Sequence, residues 1–472
     1  MDTEKIPKNI IVISLILVLG ALPPMLDATI INIAVDDLAK LFSTTFEIIQ
    51  WVVTGYTLAL GIAVPFSGWL VKKYDGKKIF MSALGLFLIS SLLCGFAFNI
   101  QSLIACRILQ GFASGLLIPT LTTMIVSSAG SNNLGRLMSI VGISIVFGPI
   151  IGPIIGGLIL KYLTWHWLFF VNLPIGIIAL LLIFWKLPNF RATETNAKMD
   201  LFGILILGLT SGMFIFGVTK IKSSSNSATG AIAIIIGAAS LLIYVIYASR
   251  IKEKALIPLK LFHSINFSAS FISLFLAGFA TNGPMLLFPI FFQDVRGLDV
   301  ITSALWLIPQ GVGMLMTRSF IGKMTDKIGA RFVVLPSILI TIISTLPFIF
   351  FDNGTNQWII WLALLFRGIG VGGVTVPVMS DSYVGLEKSQ ISEASISTRI
   401  IQNIGAAFGS AILATVVSNS MIGKSFTATN VSSSFHAGFF TSLIFMVISI
   451  IPAMFLTNKI HYKTQNNTIS RQ

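Results

Sequence analysis

Apolar runs long enough to cross a bilayer recur along nearly the whole chain, and this recurrence limits the fold more than any motif does. A hydrocarbon core takes roughly 20 apolar residues as α-helix. Inside it every backbone N–H and C=O needs a partner within the chain, which leaves only helices or closed barrels. About fourteen runs of helical length are present, too long for barrel strands of roughly 10 residues. The first six are Asn9 to Ala34, Ile48 to Val71, Ile79 to Phe98, Ile100 to Val126, Arg136 to Leu160 and Trp165 to Leu187. Two shorter ones, Leu201 to Val218 and Thr229 to Tyr247, lie between the polar stretches Phe190 to Asp200 and Arg250 to His263. Six more complete the chain: Phe267 to Phe292, Val300 to Gly322, Arg331 to Phe351, Trp358 to Ser380, Ile391 to Val417 and Ala437 to Thr457. The expected fold is all-α and integral to a membrane, with helices arranged 6 + 2 + 6. The expected domains are a six-helix bundle at 1–190, two inserted linker helices at 191–260 and a second six-helix bundle at 261–472.

Only 10% of residues are charged, against about one-quarter in a soluble domain. A cytosolic enzyme, a nucleic-acid binder and a disordered scaffold are therefore poor readings. The net charge of +14 is explained by where the basic residues sit. Counting outward from both ends, about 21 fall in loops on the side of the termini, about 6 in the opposite loops and about 4 within helices. Basic loops face the cytoplasm, so both termini are expected there, and nucleic acid is not an expected partner. Lys5 and Lys8 resemble the start of a signal peptide, but the run they precede continues to Ala34 without a small-residue cleavage site. It reads as a first membrane helix. Cys94 and Cys106, each inside an apolar run, read as buried free thiols.

The two six-helix halves echo each other. GWLVKKYDGKK, from Gly68 to Lys78, is answered by GKMTDKIGAR, from Gly322 to Arg331, and CRILQGFASG, from Cys106, is answered by FRGIGVGG, from Phe366. Paired halves are how many secondary transporters are built, with the site between repeats near the midplane and access by rocking. The middle pair has no echo and reads as an insertion outside the mechanism.

Asp27 is the most informative side chain. A carboxylate within a span costs roughly 2.5 to 3.5 kcal/mol even on the lenient insertion scale, and such residues mark ion or proton pathways. It reads as a proton carrier, the alternative being a structural polar pair between helices. Arg107 is a second buried charge. Both residues lie about seven residues, some 10 Å, from the outer ends of their helices, so Arg107 is expected beside Asp27, tuning its proton affinity. The alternative is a strut bonded to backbone carbonyls. In the fifth helix Gly148, Gly152 and Gly156 line one face and allow close backbone packing, while Pro149 and Pro153 favour a bend. The matching helix of the second half has Gly405 and Gly409 but no such prolines.

The chain resembles the major facilitator superfamily, in its fourteen-helix drug:proton antiporter branch, over essentially its whole length. LDATIINIAV resembles the branch's first-helix signature and WVVTGYTLALGIAVPFSGWL its second helix. RILQGFASG matches the superfamily's fourth-helix arginine motif, and GPIIGPIIGG, with Gly152, Pro153, Gly156 and Gly157, looks like the fifth-helix antiporter motif. TWHWLFFVNLPIG resembles the entry to the sixth. The resemblance implies that Asp27 takes part in proton coupling, that Arg107 assists, and that the fifth-helix glycines and prolines shape the motion between states. It also implies that the loop motifs at Gly68 to Lys78 and Gly322 to Arg331 lock one conformation. The first of these departs from pattern, with Lys72 where an acid is usual and Asp75 where glycine is usual, while the second retains Asp326, Gly329 and Arg331, so either Asp75 replaces the acid or the gate leans more on the second half. Asp36 at a usual proline and His166 at a usual arginine are further departures at outer helix ends.

Asp36 and Asp37 read as a solvated helix edge, and the four His make no ligand set, so no metal is expected. No P-loop lysine motif and no nucleophile with an arranged base occurs. The chain is therefore not expected to be an enzyme, and its energy source is expected to be the proton-motive force rather than a cofactor. The leading expectation is a proton-coupled exporter of lipophilic or amphipathic drugs and toxic compounds, conferring antibiotic resistance from the cell membrane. Export of an endogenous metabolite or lipid is the alternative. Polar or aromatic groups within spans, Asn32, Tyr56, Gln110, Asn282, Gln310 and Asn403, are the candidate cavity residues. No acid lies inside the later helices apart from those near their ends, such as Asp294, Asp299 and Asp381, which predicts a preference for neutral or singly charged compounds over dications. Of the other basic residues within helices, Arg367 echoes Arg107, while Arg318 and Arg399 lie toward helix ends, where they can snorkel.

Overall fold

The computed structural model describes residues 8–129, 151–190, 199–220, 227–252, 255–386, 388–421, 425 and 427–458. Among these, 13 helices are long and apolar enough to cross a membrane, and a shorter apolar helix covers Ile151–Tyr162. The membrane helices are numbered α1 (Lys8–Ile30), α2 (Trp51–Lys73), α3 (Gly76–Gly95), α4 (Ile100–Ala129), α5 (Ile151–Tyr162), α6 (Asn172–Lys186) and α7 (Leu201–Lys220). They continue as α8 (Ser227–Ile251), α9 (Ile265–Asp294), α10 (Ile308–Ile328), α11 (Ala330–Thr345), α12 (Gln357–Gly372), α13 (Lys388–Met421) and α14 (Ala428–Ala453). The all-helical expectation with about fourteen spans is met. Large apolar side chains such as Ile235, Leu242 and Ile243 of α8 and Phe184 and Trp185 of α6 stand exposed, as they must where the solvent is lipid.

Several ends differ from the reading of apolar runs. The last helix begins at Ala428, nine residues before Ala437, because Thr427 caps it by accepting from the N–H of Asn430 at 3.4 Å. Its first turns are polar and invisible to hydropathy. The run from Val300 breaks into Val300–Leu305 and α10, since Pro309 stands at the start of α10, where its missing N–H is tolerated. The run from Trp358 breaks after α12 at the Gly372–Gly373 pair and resumes as Thr375–Asp381. Cys106 is half-buried rather than buried, because its stretch of α4 faces outward, where Ile108 and Leu109 are also exposed; Cys94 is buried.

The chain forms two compact units, one of residues 1–44 and 55–199, the other of residues 45–54 and 200–472. In the first, α5 lies against α1 and α4 against α2. A Cβ on Gly152 would stand 2.1 Å from Thr29 Oγ1, and one on Gly156 2.7 Å from Ile33 Cγ2. These approaches admit only glycine, which is how α5 comes to flank the stretch of α1 holding Asp27. Pro153 and Gly157 are buried on the same helix. Gly148 and the rest of the run from Arg136 to Ile150 lie outside the described residues.

The second unit repeats these pairings. A Cβ on Gly405 of α13 would meet the Phe275 carbonyl of α9 at 2.0 Å, and one on Gly368 of α12 the Gln310 carbonyl of α10 at 2.0 Å. Around them Phe288, Phe348 and Phe439 pack with ring centroids 4.9 to 5.3 Å apart. The helices α7 and α8 pack on each other, with Thr210 and Ser240 hydroxyls bonded at 2.9 Å. Asp200, from the polar stretch before α7, accepts from the N–H of Gly203 at 2.8 Å, from Tyr247 Oη at 2.8 Å and from the N–H of Leu256 at 2.9 Å. One carboxylate thus ties both ends of this helical pair.

The loop motifs perform matching structural tasks within their own units. The N–H of Gly76 donates to the Phe190 carbonyl at 3.1 Å, and that of Arg331 to the Thr457 carbonyl at 3.0 Å. Each fastens the start of a third helix to the chain just after a sixth. Asp75 caps α3 by accepting from the N–H groups of Lys77 and Lys78 at 2.8 and 3.2 Å, and Lys77 Nζ donates to the carbonyls of Phe184 and Leu187 at 2.9 and 2.8 Å. In the second unit the cap position is Gly329, at φ +92° with no side-chain bond.

Candidate functional site

Two consecutive prolines, Pro23 and Pro24, lie inside α1, and one turn later Asp27 projects into the first unit with no exposed surface. Isolated there, a carboxylate would be prohibitive. Two helices, α4 and α6, supply its polar partners, and α2 and α3 complete the cluster around them. From α4, Arg107 and Gln110 are three residues apart and so share a face. Arg107 Nη1 donates to Asp27 Oδ2 in an ion pair without solvent exposure on either side. The same nitrogen donates to Gln110 Oε1 at 2.7 Å, and Gln110 Nε2 donates to Asp27 Oδ1 at 3.2 Å. From α6, the first residue, Asn172, donates through Nδ2 to Asp27 Oδ1 at 3.0 Å.

Ser91 of α3 completes the network. Its hydroxyl donates to the Phe169 carbonyl at 2.9 Å and accepts from Gln110 Nε2 at 3.1 Å and Asn172 Nδ2 at 3.0 Å. Both amides therefore aim their NH2 groups at Ser91 and Asp27 together. Every bond to Asp27 is donated to it, the pattern that suits an ionised carboxylate. From α2, the Tyr56 ring lies 4.0 Å beneath the Arg107 guanidinium, a cation–π contact in a dry setting. Its hydroxyl bonds Ser114 Oγ at 2.7 Å and donates to the Pro24 carbonyl at 3.3 Å.

Depth arithmetic thus placed Asp27 and Arg107 together, and the structure joins them directly. Tyr56 and Gln110, read from sequence as cavity residues, belong to this charged cluster. Asn172 and Ser91 were not singled out, although Asn172 stands in the sixth-helix stretch and Ser91 is the second of two serines in the middle of an apolar run. Their signal is the same as that of Asp27: a polar side chain where hydropathy alone would place none.

The corresponding place in the second unit is built differently. Pro24, Met25, Leu26 and Asp27 of α1 are echoed by Pro284, Met285, Leu286 and Leu287 of α9, so leucine replaces the acid. The arginine is kept. Arg367 of α12 is fully buried and donates through Nη2 to the Ala280 carbonyl at 2.7 Å. That carbonyl lies four residues before Pro284, whose ring leaves it without its helical donor. Phe288 lies 4.9 Å from the guanidinium, and Nε and Nη1 have no hydrogen-bond partner among the described residues.

The other sequence candidates scatter. Asn32 is buried in the 3-10 turn Ile31–Ala34, its Oδ1 without a bond among the described residues. Asn282 Nδ2 donates to the Gly278 carbonyl of its own helix at 3.3 Å. Gln310 is buried, with Oε1 likewise unbonded among the described residues, and Asn403 is half-buried on α13. Gly68 is half-buried, Gly322 is exposed, and Asp326 lies in the last turns of α10. A buried acid outside the candidate set is Asp381, which accepts from Thr457 Oγ1, from the Thr457 N–H at 3.2 Å and from Ser270 Oγ at 3.3 Å.

Residues 17–410 match the sequence model of the Major Facilitator Superfamily. The chain is 30% identical to the multidrug resistance protein B homolog of Mycobacterium tuberculosis over 404 residues, 85% of this chain and 75% of that one. It is 28% identical to the lincomycin resistance protein LmrB of Listeria monocytogenes over 391 residues, 83% of each chain. In fold it resembles the crystal structure of a D-xylose-proton symporter, with a TM-score of 0.67 at 16% identity over 94% of this chain and 97% of that one.

Proposed function

The chain belongs to the major facilitator superfamily, and from that premise we propose that it is a proton-coupled antiporter exporting lipophilic or amphipathic compounds, drugs among them. It is a multi-pass membrane transporter rather than an enzyme. Names of the relatives, multidrug and lincomycin resistance proteins, support the export of drugs. The observation that carries proton coupling is the caged carboxylate: Asp27 is fully buried and bonded to Arg107, Gln110 and Asn172.

Protonation of Asp27 would put a donor on Oδ2, facing the Nη1 donor of Arg107. The two would repel, so uptake of a proton releases Arg107 and loosens the bond between α1 and α4. Because Gly152 and Gly156 leave no space between α1 and α5, a shift of α1 carries α5 with it. This coupling, with Pro153 and Gly157 shaping α5 and the loop motifs fastening the helix ends, converts a proton into a movement. We place the protein in the cell membrane with both termini in the cytoplasm, energised by the proton-motive force without a cofactor. One net charge moved across 100 mV is worth about 2.3 kcal/mol, enough for a substrate gradient of roughly 50-fold.

The test uses everted vesicles loaded with acid and carrying either the intact chain or Asp27→Asn. A lipophilic cation added outside should release protons from vesicles with the intact chain, and the substitution should abolish release while leaving the cation bound. Release that persists in Asp27→Asn would remove Asp27 from the mechanism. A panel of compounds none of which releases protons would count against drug export and favour an endogenous metabolite or lipid as cargo.

A further inference from the structure

Arg367 carries a full charge into the interior of the second unit, with no carboxylate paired to it among the described residues. Neither Nε nor Nη1 has a bond among the described residues, and no ion pair involves this side chain among them. Its one hydrogen bond caps the Ala280 carbonyl freed by Pro284. A single neutral donor would suffice for that task, and a guanidinium brings in addition a desolvation cost that only an anion offsets well. Arg107 shows the contrast, being neutralised by Asp27 across its own helix pair. A cavity of about 20 Å³ lies against the same stretch, bounded by Ala277, Ala280 and Thr281 of α9, Val371 of α12 and the hydroxyl-bearing Thr341 and Ser449. It holds about one water, so the site admits a small polar guest next to the carbonyl that holds Arg367.

We propose that Arg367 is an anion-recognition residue, taking the carboxylate of a singly charged amphiphilic substrate when α9 and α12 part. This rests on the export reading above and names a substrate class within it. Nη2 spends one of its two hydrogens on Ala280, and the other lies beside the unpaired Nε or Nη1 as one edge of the guanidinium, the fork that meets a carboxylate with two parallel bonds. The second half then recognises cargo and the first half the proton. Export of a monoanion against an entering proton moves two charges inward per cycle, so the membrane potential drives it, whereas a monocation exchanged for one proton moves none.

The test measures binding of pyrenebutyrate and its methyl ester to the purified chain in nanodiscs by fluorescence anisotropy, with empty nanodiscs subtracted. The intact chain should bind the acid at least about tenfold more tightly than the ester. Arg367→Gln should weaken the acid about tenfold and leave the ester unchanged, and Arg367→Lys, which keeps the charge without the fork, should fall between. Equal affinities for acid and ester in the intact chain overturn the proposal whether or not the variants fold. So does an equal loss of both in Arg367→Gln, which would make Arg367 a strut. Stabilisation of the intact chain by chloride alone, without preference for the acid, would assign the site to a small ion and overturn it also. The everted-vesicle assay on the same preparation separates the two readings. Proton release by a lipophilic cation without acid preference sinks the anion site alone, and release by no compound sinks export.

Discussion

In the first unit a buried arginine on the fourth helix faces a carboxylate, an amide and a tyrosine ring; in the second the echoing arginine faces a backbone carbonyl and a phenylalanine ring. The helix pairings around them are the same, down to the glycines that bring α1 to α5 and α9 to α13. What decides the charge balance is one position, Asp27 against Leu287. A shared frame therefore does not impose a shared charge balance, and the unbalanced half has an opening for chemistry supplied from outside the chain.

The largest effect that sharpens this contrast comes from breaking the balanced pair. Arg107→Gln leaves Asp27 buried and unpaired, which costs about 3 to 5 kcal/mol, whereas Arg367→Met removes an uncompensated cation and should change stability by about 1 kcal/mol or less. Thermal melting of the purified variants reads both. A deficit for Arg367→Met as deep as that for Arg107→Gln would mean that the second arginine is already paired. Next comes transplantation of the acid. Leu287→Asp should cost about 2.5 to 3.5 kcal/mol when Arg367 is replaced by Met and at least 1 kcal/mol less when Arg367 is present. A double-mutant cycle giving no coupling would show that the two sites are not geometric equivalents.

Packing comes third. Gly152→Ala and Gly405→Ala each drive a methyl group into contacts near 2 Å and should destabilise their units by about 1 to 3 kcal/mol. Transport should suffer more from Gly152→Ala, because α1 carries the acid. Equal loss from both would make the packing, not the acid, the common requirement. The smallest effect is expected at the helix start, where Asp75→Ala removes a side-chain cap worth about 1 kcal/mol that the second unit, with Gly329, never had.

The reading of hydropathy was sound for the number and order of spans and weak at their ends, because caps and polar first turns such as Thr427 to His436 carry no apolar signal. Asp27 and Arg107 were legible because a charge inside an apolar run is conspicuous, and equal depth on antiparallel helices brought them together. Asn172 and Ser91 were not, since an amide or hydroxyl in a span is common enough to pass as an ordinary interhelical bond. The orphan state of Arg367 was likewise hidden. The echo of the arginine is visible in the sequence, as is Leu287 in the place of the acid, but that Arg367 turns to the Ala280 carbonyl instead is clear only from the structure.

Ser91 gives the charged cluster a direction. Its single proton is committed to the Phe169 carbonyl, so it can only receive from Gln110 and Asn172, and both amides are fixed with their nitrogens inward. Replacing it with alanine would free Asn172, whose Oδ1 has no bond among the described residues, while Gln110 stays held by the Arg107 bond to its Oε1. The Asn172 oxygen would then turn toward residue 27 and welcome a hydrogen there, so that side of the cluster would come to favour the opposite occupancy. A hydroxyl that touches neither the acid nor the arginine thereby decides which way the wiring around them reads.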